Sequence, residues 1–396
     1  MLASALCVLV ATKVTAAEWG DGYNADNGTL PTNTDWMKNI PDDTPLKEMS
    51  IPGTHHSDVP VKDIEHSYQV LHTPEQLNGG IRFIEVQAQL VNDTIAVGGP
   101  SNMQGGSFAY QVVKNDEDCH SNQCKTTHLL SYYRFPLSPN IMRVNDDILI
   151  PHGQKLPYEY TLQDMLSSFR GFLQHHPSET ILLKLDAGEL GDAYNSKSYN
   201  DELLEAVNQN SDVVWAKDSD NPTLGDVRGK VVLINNRPDP TLDSIEFSIR
   251  DFNVQPDFHM NTNWDLYHRW ELVKDKLIAA KDKKQTGIIN YLTGYGGSFA
   301  YFVASGHSSP QNGAPLLMTG KTTPGWQNDD LDFPRVNCAW FIVTICSIAF
   351  EGTNELTKQY LLDNNPSYAG IIVADFPGPG LVQSVIDSNP HKKPAF

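Results

Sequence analysis

Seven short stretches of the chain are apolar, or alternate apolar with polar at the two-residue period of a strand: residues 46–51, 82–90, 148–152, 180–186, 230–235, 287–292 and 370–376. Helical spacing lies between several of them. Leu162, Met165, Leu166, Phe169 and Leu173 recur three and four apart and predict a helix over 162–175. Residues 201–207, 270–280 and 355–362 carry the same period. Strands alternating with helices over most of the chain predict a parallel sheet, open or closed.

Two stretches break this rhythm, 92–147 and 307–336, both rich in Gly, Asn, Ser and Pro. Loops of that length are usually functional insertions. The hexapeptide Gly-Gly-Ser-Phe-Ala-Tyr occurs at 105–110 and at 296–301, but the flanks differ too much for a structural repeat. The longest apolar run, residues 338–350, is too short to span a bilayer and suits a buried element.

Charge narrows the functional classes. The 396 residues carry a formal net charge of −19, which argues against nucleic acid and against electrostatic adsorption to anionic membranes. A local site can still oppose the global sign. At the N-terminus, Leu2 to Ala11 is apolar and Thr15-Ala16-Ala17 offers small residues before Glu18, so residues 1–17 read as a signal peptide and 18–396 as one secreted domain. Loss of Cys7 with that segment leaves four cysteines, an even count that fits an oxidising compartment. Three connectivities are open. The local one, Cys119–Cys124 and Cys338–Cys346, is expected, and it requires 338–346 not to be one helix, whose rise would separate the ends by about 12 Å. No Cys-x-x-Cys spacing supports zinc. Asn27 and Asn92 head glycosylation triplets.

The chemistry gathers around Ile51-Pro52-Gly53-Thr54-His55-His56. The Pro-Gly pair is expected to end the first strand and leave His55 at its tip, where barrel enzymes keep a general base. Other motifs fail. Gly320-Lys321-Thr322 lacks the upstream glycine of a phosphate loop, and neither His-Glu-x-x-His nor Gly-x-Ser-x-Gly occurs. Trp326 and the run Tyr132-Tyr133-Arg134-Phe135 read equally as rim aromatics touching lipid and as packing residues.

An ordered series of blocks resembles the bacterial-type phosphatidylinositol-specific phospholipase C, or X-domain, phosphodiesterases. It comprises Ser50-Ile-Pro-Gly-Thr-His55, Gln76-Leu-x-x-Gly-Ile-Arg82-Phe-Ile-Glu85, Pro151-His152-Gly153, Phe172-Leu-x-x-x-Pro177-x-Glu179-Thr-Ile-Leu, Thr223-Leu-x-Asp-Val-Arg228-Gly-Lys-Val-Val-Leu and Gly370-Ile-Ile-Val-Ala-Asp375-Phe-Pro377. The first, second, third and last blocks match family strands. The other two lead into the fourth and fifth. The resemblance implies a distorted (β/α)8 TIM barrel and a phosphodiesterase acting through a cyclic phosphate on a phospholipid, with phosphatidylinositol as the substrate class. It implies His55 as base, His152 as acid and Asp375 as the carboxylate that orients His55. A monomer with transient membrane contact is expected.

The departures from the pattern carry as much weight. His56 stands where the family has Asp or Asn, and Glu85-Val-Gln87 replaces the Asp-x-Arg of metal-free members. Asp186 stands at the position read as the strand-four lysine. Arg82 and Gln87 are the expected substrate-binding residues. Glu85 and Asp186 with no arginine make an acidic pocket, so calcium or magnesium is expected on Glu85 and Asp186, with Gln87 and His56 completing the shell. Two alternatives stay open: a basic residue such as Arg134 or Arg143 supplying the charge, and a weakened barrel that binds a ligand rather than turning it over.

Overall fold

The computed structural model describes residues 20–391 except 27–29, 58–64, 66, 92, 98–108, 115–125, 132–142, 145–146, 150–160, 188–194, 237–238 and 256–257, and between 109 and 149 it describes only the backbone of four short strands. His152, Cys119, Cys124, Arg134, Asn27, Asn92, the 132–135 run and the N-terminal 1–17 segment lie outside the described residues, as does the Arg143 side chain.

Eight strands pair in parallel around one curled sheet: β1 (Ile51–Thr54), β2 (Phe83–Val91), β3 (Ile181–Ala187), β4 (Val231–Asn235), β5 (Glu246–Ser248), β6 (Asn253–Val254), β7 (Ile288–Tyr291) and β8 (Ile371–Ala374). Neighbours in sequence are neighbours in space, and β8 returns to pair with β1 through Ile51↔Ile371. That circular order is a (β/α)8 barrel. Among the described residues no ladder joins β5 to β6, which a single 3-10 turn, Ile249–Asp251, connects. The barrel is therefore distorted and open at that seam.

The strand sequences suit this role. Val-Val-Leu-Ile in β4 and Ile-Ile-Val in β8 are continuous β-branched and aliphatic runs, as parallel strands covered on both faces require. The expected helix Leu162–His175 forms with those bounds, and its five apolar residues are buried. Thr161 caps it in a reciprocal box with Asp164. The patterns at 201–207, 270–280 and 355–362 lie within the helices Tyr199–Gln209, Leu266–Ala280 and Thr353–Asn364.

Four expectations are corrected. The first strand begins at Ile51, since 46–48 is a 3-10 turn, and Pro52-Gly53 lies inside β1 rather than ending it. Pro52 accepts from the Arg82 N–H with its carbonyl, and its own missing N–H faces the chain before β2 begins. Gly53 is required by close approach: a Cβ there would lie 2.8 Å from Phe83. Residues 147–149 join the short strands at 109–114, 126–131 and 143–144 in a separate antiparallel sheet, so the block before His152 adds no described barrel strand.

The third correction concerns residues 338–350. Only Cys346, Ile348, Ala349 and Phe350 are buried, and the rest is not a buried element. Arg335–Trp340 and Thr344–Ala349 make an antiparallel hairpin, with Met318–Thr323 on the other side of the second strand. Its tip stands in solvent. The Cys338–Cys346 disulfide crosses it, as the local connectivity requires.

The fourth is Arg82. Its guanidinium is fully buried at the start of β2, bonded to Glu179 (2.9 and 3.1 Å) and to the carbonyls of Leu77, Ile81 and Thr34. Glu179 precedes β3, so the pair closes the N-terminal end of the barrel, opposite the strand ends that carry His55 and Asp375. Arg82 has no donor left for a substrate. Replacing it with Met should cost about 3–5 kcal/mol, because Glu179 is left charged and alone. The shift of the denaturation midpoint measures this, and the His55–Asp375 pair should survive in the folded fraction.

Candidate active site

His55 follows β1 and Asp375 follows β8, and because those strands pair in parallel their C-terminal ends lie side by side. His55 Nδ1 meets Asp375 Oδ1 at 2.9 Å. The junction is over-determined. The His55 N–H donates to Ala374 O, and Gln69 Nε2 donates to both His55 O and Ala374 O. The Thr293 hydroxyl donates to Asp375 Oδ2, and Asn354 Nδ2 to the Asp375 carbonyl. With Nδ1 facing the carboxylate, the imidazole presents Nε2 outward, where no hydrogen-bond partner occurs among the described residues. Burial pushes the His55 pKa down, but the Asp375 charge and hydrogen bond outweigh it, and the net direction is up. Such an imidazole accepts a proton readily and keeps it stabilised.

The second cluster is built across β2 and β3. Their register places Glu85 opposite Lys184 and Gln87 opposite Asp186. Lys184 Nζ lies 3.2 Å from Glu85 Oε1 and 3.8 Å from Asp186 Oδ1. The Tyr291 hydroxyl, from β7, donates to Glu85 Oε2 at 2.6 Å. Burial raises the Glu85 carboxyl, yet the charges of Lys184 and His55 and the Tyr291 bond overcome it and hold it at about 2. Glu85 is thus a carboxylate at neutral pH. Asn236 holds Asp186 from the far side.

His56 packs as a ring against His55 and Tyr68. It adopts a left-handed backbone (φ 44°), and its ring stacks on Tyr68 with centroids 4.8 Å apart. Burial, and then the neighbouring His55 charge, push its pKa down to about 3, so it is a neutral aromatic wall. Tyr68 also presents an edge to His55, at 5.0 Å.

The proposed cation shell on Glu85, Asp186, Gln87 and His56 does not fit this arrangement. The Lys184 ammonium stands between the two carboxylates, and among the described residues no three Asp, Glu, His or Cys side chains converge as metal ligands. A divalent ion there would have to displace Lys184 and break the Tyr291 bond. Lys184 lies two residues before Asp186, on the same face of β3, and gives this cluster a lysine that the sequence reading did not place there. The signal was in the sequence. A lysine inside Ile-Leu-Leu-Lys-Leu-Asp-Ala is buried on a parallel strand and must have a partner. Tyr291 and Thr293 went unread because hydroxyls at the end of an apolar strand look ordinary. Of the expected site residues, the structure brings together His55 with Asp375 and Glu85 with Asp186. It places Gln87 at the half-buried mouth and Arg82 at the opposite end.

The geometry makes the His55 ionisation depend on Asp375. In Asp375→Asn the larger raising charge is gone, leaving burial opposed only by the smaller pull of Glu85, so the imidazole pKa should fall. Titration of the His55 ring protons by NMR reads this directly, and an unchanged or higher value would contradict the pairing.

No family model matches the chain. It is 19% identical over 342 residues to a 1-phosphatidylinositol phosphodiesterase of Staphylococcus aureus, covering 79% of this chain and 88% of that protein. A protein of the same name from Listeria monocytogenes is 24% identical over 254 residues, 60% of each chain. Among solved structures, the Listeria phosphatidylinositol-specific phospholipase C superposes with a TM-score of 0.51 at 18% identity, over 91% of this chain and 100% of that one. A variant of the Staphylococcus aureus enzyme gives 0.55 at 16% identity, over 91% and 98%. The likeness lies in the fold, and the chain has the barrel architecture of the phosphatidylinositol-specific phospholipases C.

Proposed function

We propose that this barrel cleaves the phosphodiester of a phosphatidylinositol-class lipid by attack of a neighbouring headgroup hydroxyl. The observation that carries the reading is the His55–Asp375 pair, held at 2.9 Å at the C-terminal mouth of the barrel. Neutral His55 takes the proton of the attacking hydroxyl through Nε2. The oxygen bonds to phosphorus while the bond from phosphorus to the diacylglycerol oxygen breaks. His152 is assigned as the acid that protonates that leaving oxygen. The products are a cyclic phosphate and a diacylglycerol. Asp375 stabilises the imidazolium, and Lys184, which keeps ammonium donors beyond its Glu85 contact, offers positive charge to the phosphate oxygens. Gln87 stands beside it as a neutral polar contact.

An intact, multiply held His55–Asp375 pair speaks against the alternative of a barrel that only binds. Secretion is part of the proposal. It is supported by the Cys338–Cys346 disulfide and by the apolar segment at residues 2–11.

Two experiments test this. His55→Ala and His152→Ala should each lower turnover of short-chain phosphatidylinositol by roughly a hundredfold or more, with cyclic phosphate as first product by phosphorus NMR. Near-parental turnover in either folded variant removes that residue from the mechanism. Because Lys184 occupies the position read from sequence as a cation site, turnover should persist after exhaustive chelation. Loss restored by calcium or magnesium would show instead that an ion displaces Lys184.

A further inference from the structure

The loop between β7 and the helix Thr353–Asn364 carries the disulfide-stapled hairpin, and this insertion rises from the catalytic rim. The helix begins there: the Thr353 hydroxyl donates to Leu292 O, just past β7, and Asn354 holds the Asp375 carbonyl. The hairpin's base is anchored in apolar packing. Ile348, Ala349 and Phe350 are buried, and the Phe350 ring packs against Phe302, Phe333 and Trp264. The hairpin then leaves the body. Trp340 is 81% exposed, Phe341 65%, Ile342 98% and Val343 49%. No charged residue occurs from Val336 to Phe350.

We infer that this tip inserts into the interfacial region of a phospholipid bilayer and so docks the barrel mouth on its lipid. Four consecutive exposed apolar side chains are far outside what a solvated turn needs. The tip protrudes and has neither the concavity nor the charge by which protein partners are selected. Trp340 stands at its shoulder, as expected for an indole at the boundary of headgroup and acyl chain. Insertion is shallow, because the outer strand Arg335–Trp340 has an edge with no partner among the described residues, which hydrocarbon does not tolerate. The disulfide lies just below the tip and fixes the turn before contact, so little ordering entropy opposes docking. A second exposed indole, Trp326, follows Thr323, whose partner across the sheet is Cys346, so it lies at the level of the disulfide and meets the surface after the tip. Attraction here is apolar rather than electrostatic, which accords with a net charge of −19.

The inference deepens the proposed function by naming the surface that meets the lipid, but its test does not require turnover. The full chain is sedimented with phosphatidylcholine vesicles, which contain no inositol headgroup. Binding should occur and should not weaken between low and high salt. Phe341→Ser with Ile342→Ser should weaken it by roughly tenfold or more, given the apolar area removed from the bilayer. Brominated acyl chains should quench tryptophan emission, and Trp340→Phe should remove most of the quenched fraction while leaving the thermal midpoint unchanged. Undiminished vesicle binding by the double variant, or quenching untouched in Trp340→Phe, overturns the assignment. So does a concentration-dependent dimer of the parent chain that the double variant abolishes, since the tip would then cover a second copy.

Discussion

Glu85 and Lys184 face each other across adjacent parallel strands inside the barrel, and the mouth is organised around that pair. Taking either charge out of water alone costs several kcal/mol, so neither residue is tolerable there without the other. The Tyr291 hydroxyl satisfies the second carboxylate oxygen, which ties β7 to β2 across the barrel interior. Three strands far apart in the sequence are thereby held in register at the level of the proposed site. The pair is weak evidence for stability, because an apolar pair of similar volume would avoid the desolvation cost. Its value is positional: it fixes an ammonium beside the mouth.

The His55–Asp375 pair follows from the same parallel geometry. Strand β8 pairs with β1 along Ile51–Thr54, so the next residue of each strand emerges at one rim. Hydrogen bonding then removes the remaining freedom. Gln69 clips the two strand ends together, and Thr293 and Asn354 hold both the carboxylate and its backbone. A base that must meet a proton at hydrogen-bond distance gains more from such restraint than from any single strong contact.

Most of this was legible in the sequence, for physical reasons. Parallel strands covered on both faces must be continuously apolar, so β2, β3, β4, β7 and β8 announced themselves, and the helices were bounded to within a few residues by their apolar spacing. His55 and Asp375 were legible because their blocks end strands. The failures share a cause. Residues 338–350 were read by hydropathy alone, and hydropathy cannot distinguish burial in protein from exposure at a stapled tip. Arg82 lies in one of the matching blocks, but which barrel end a residue occupies depends on strand polarity. It immediately precedes β2 and so belongs to the sealed end with Glu179. Lys184 was missed by two positions, because alternation allows 184 and 186 the same face and only the β2–β3 register tells which one meets Glu85. The two-residue strand β6 is too short for any period to show.

The barrel thus separates its two ends by physical role. At the N-terminal end the Arg82–Glu179 pair is dry and saturated with carbonyls, an arrangement that holds structure and offers nothing to a ligand. At the C-terminal end the charges are paired but not saturated: His55 keeps Nε2, and Lys184 meets Asp186 only at 3.8 Å, beyond hydrogen-bonding reach. Incomplete satisfaction is costly in an empty pocket and useful in an occupied one, because a bound phosphate completes what the protein leaves open. The apolar hairpin applies the same logic at larger scale. Its uncharged tip is a liability in water, and a disulfide holds it there in a fixed shape. Both unsatisfied features stand at the same rim, so one orientation on a lipid surface would complete both.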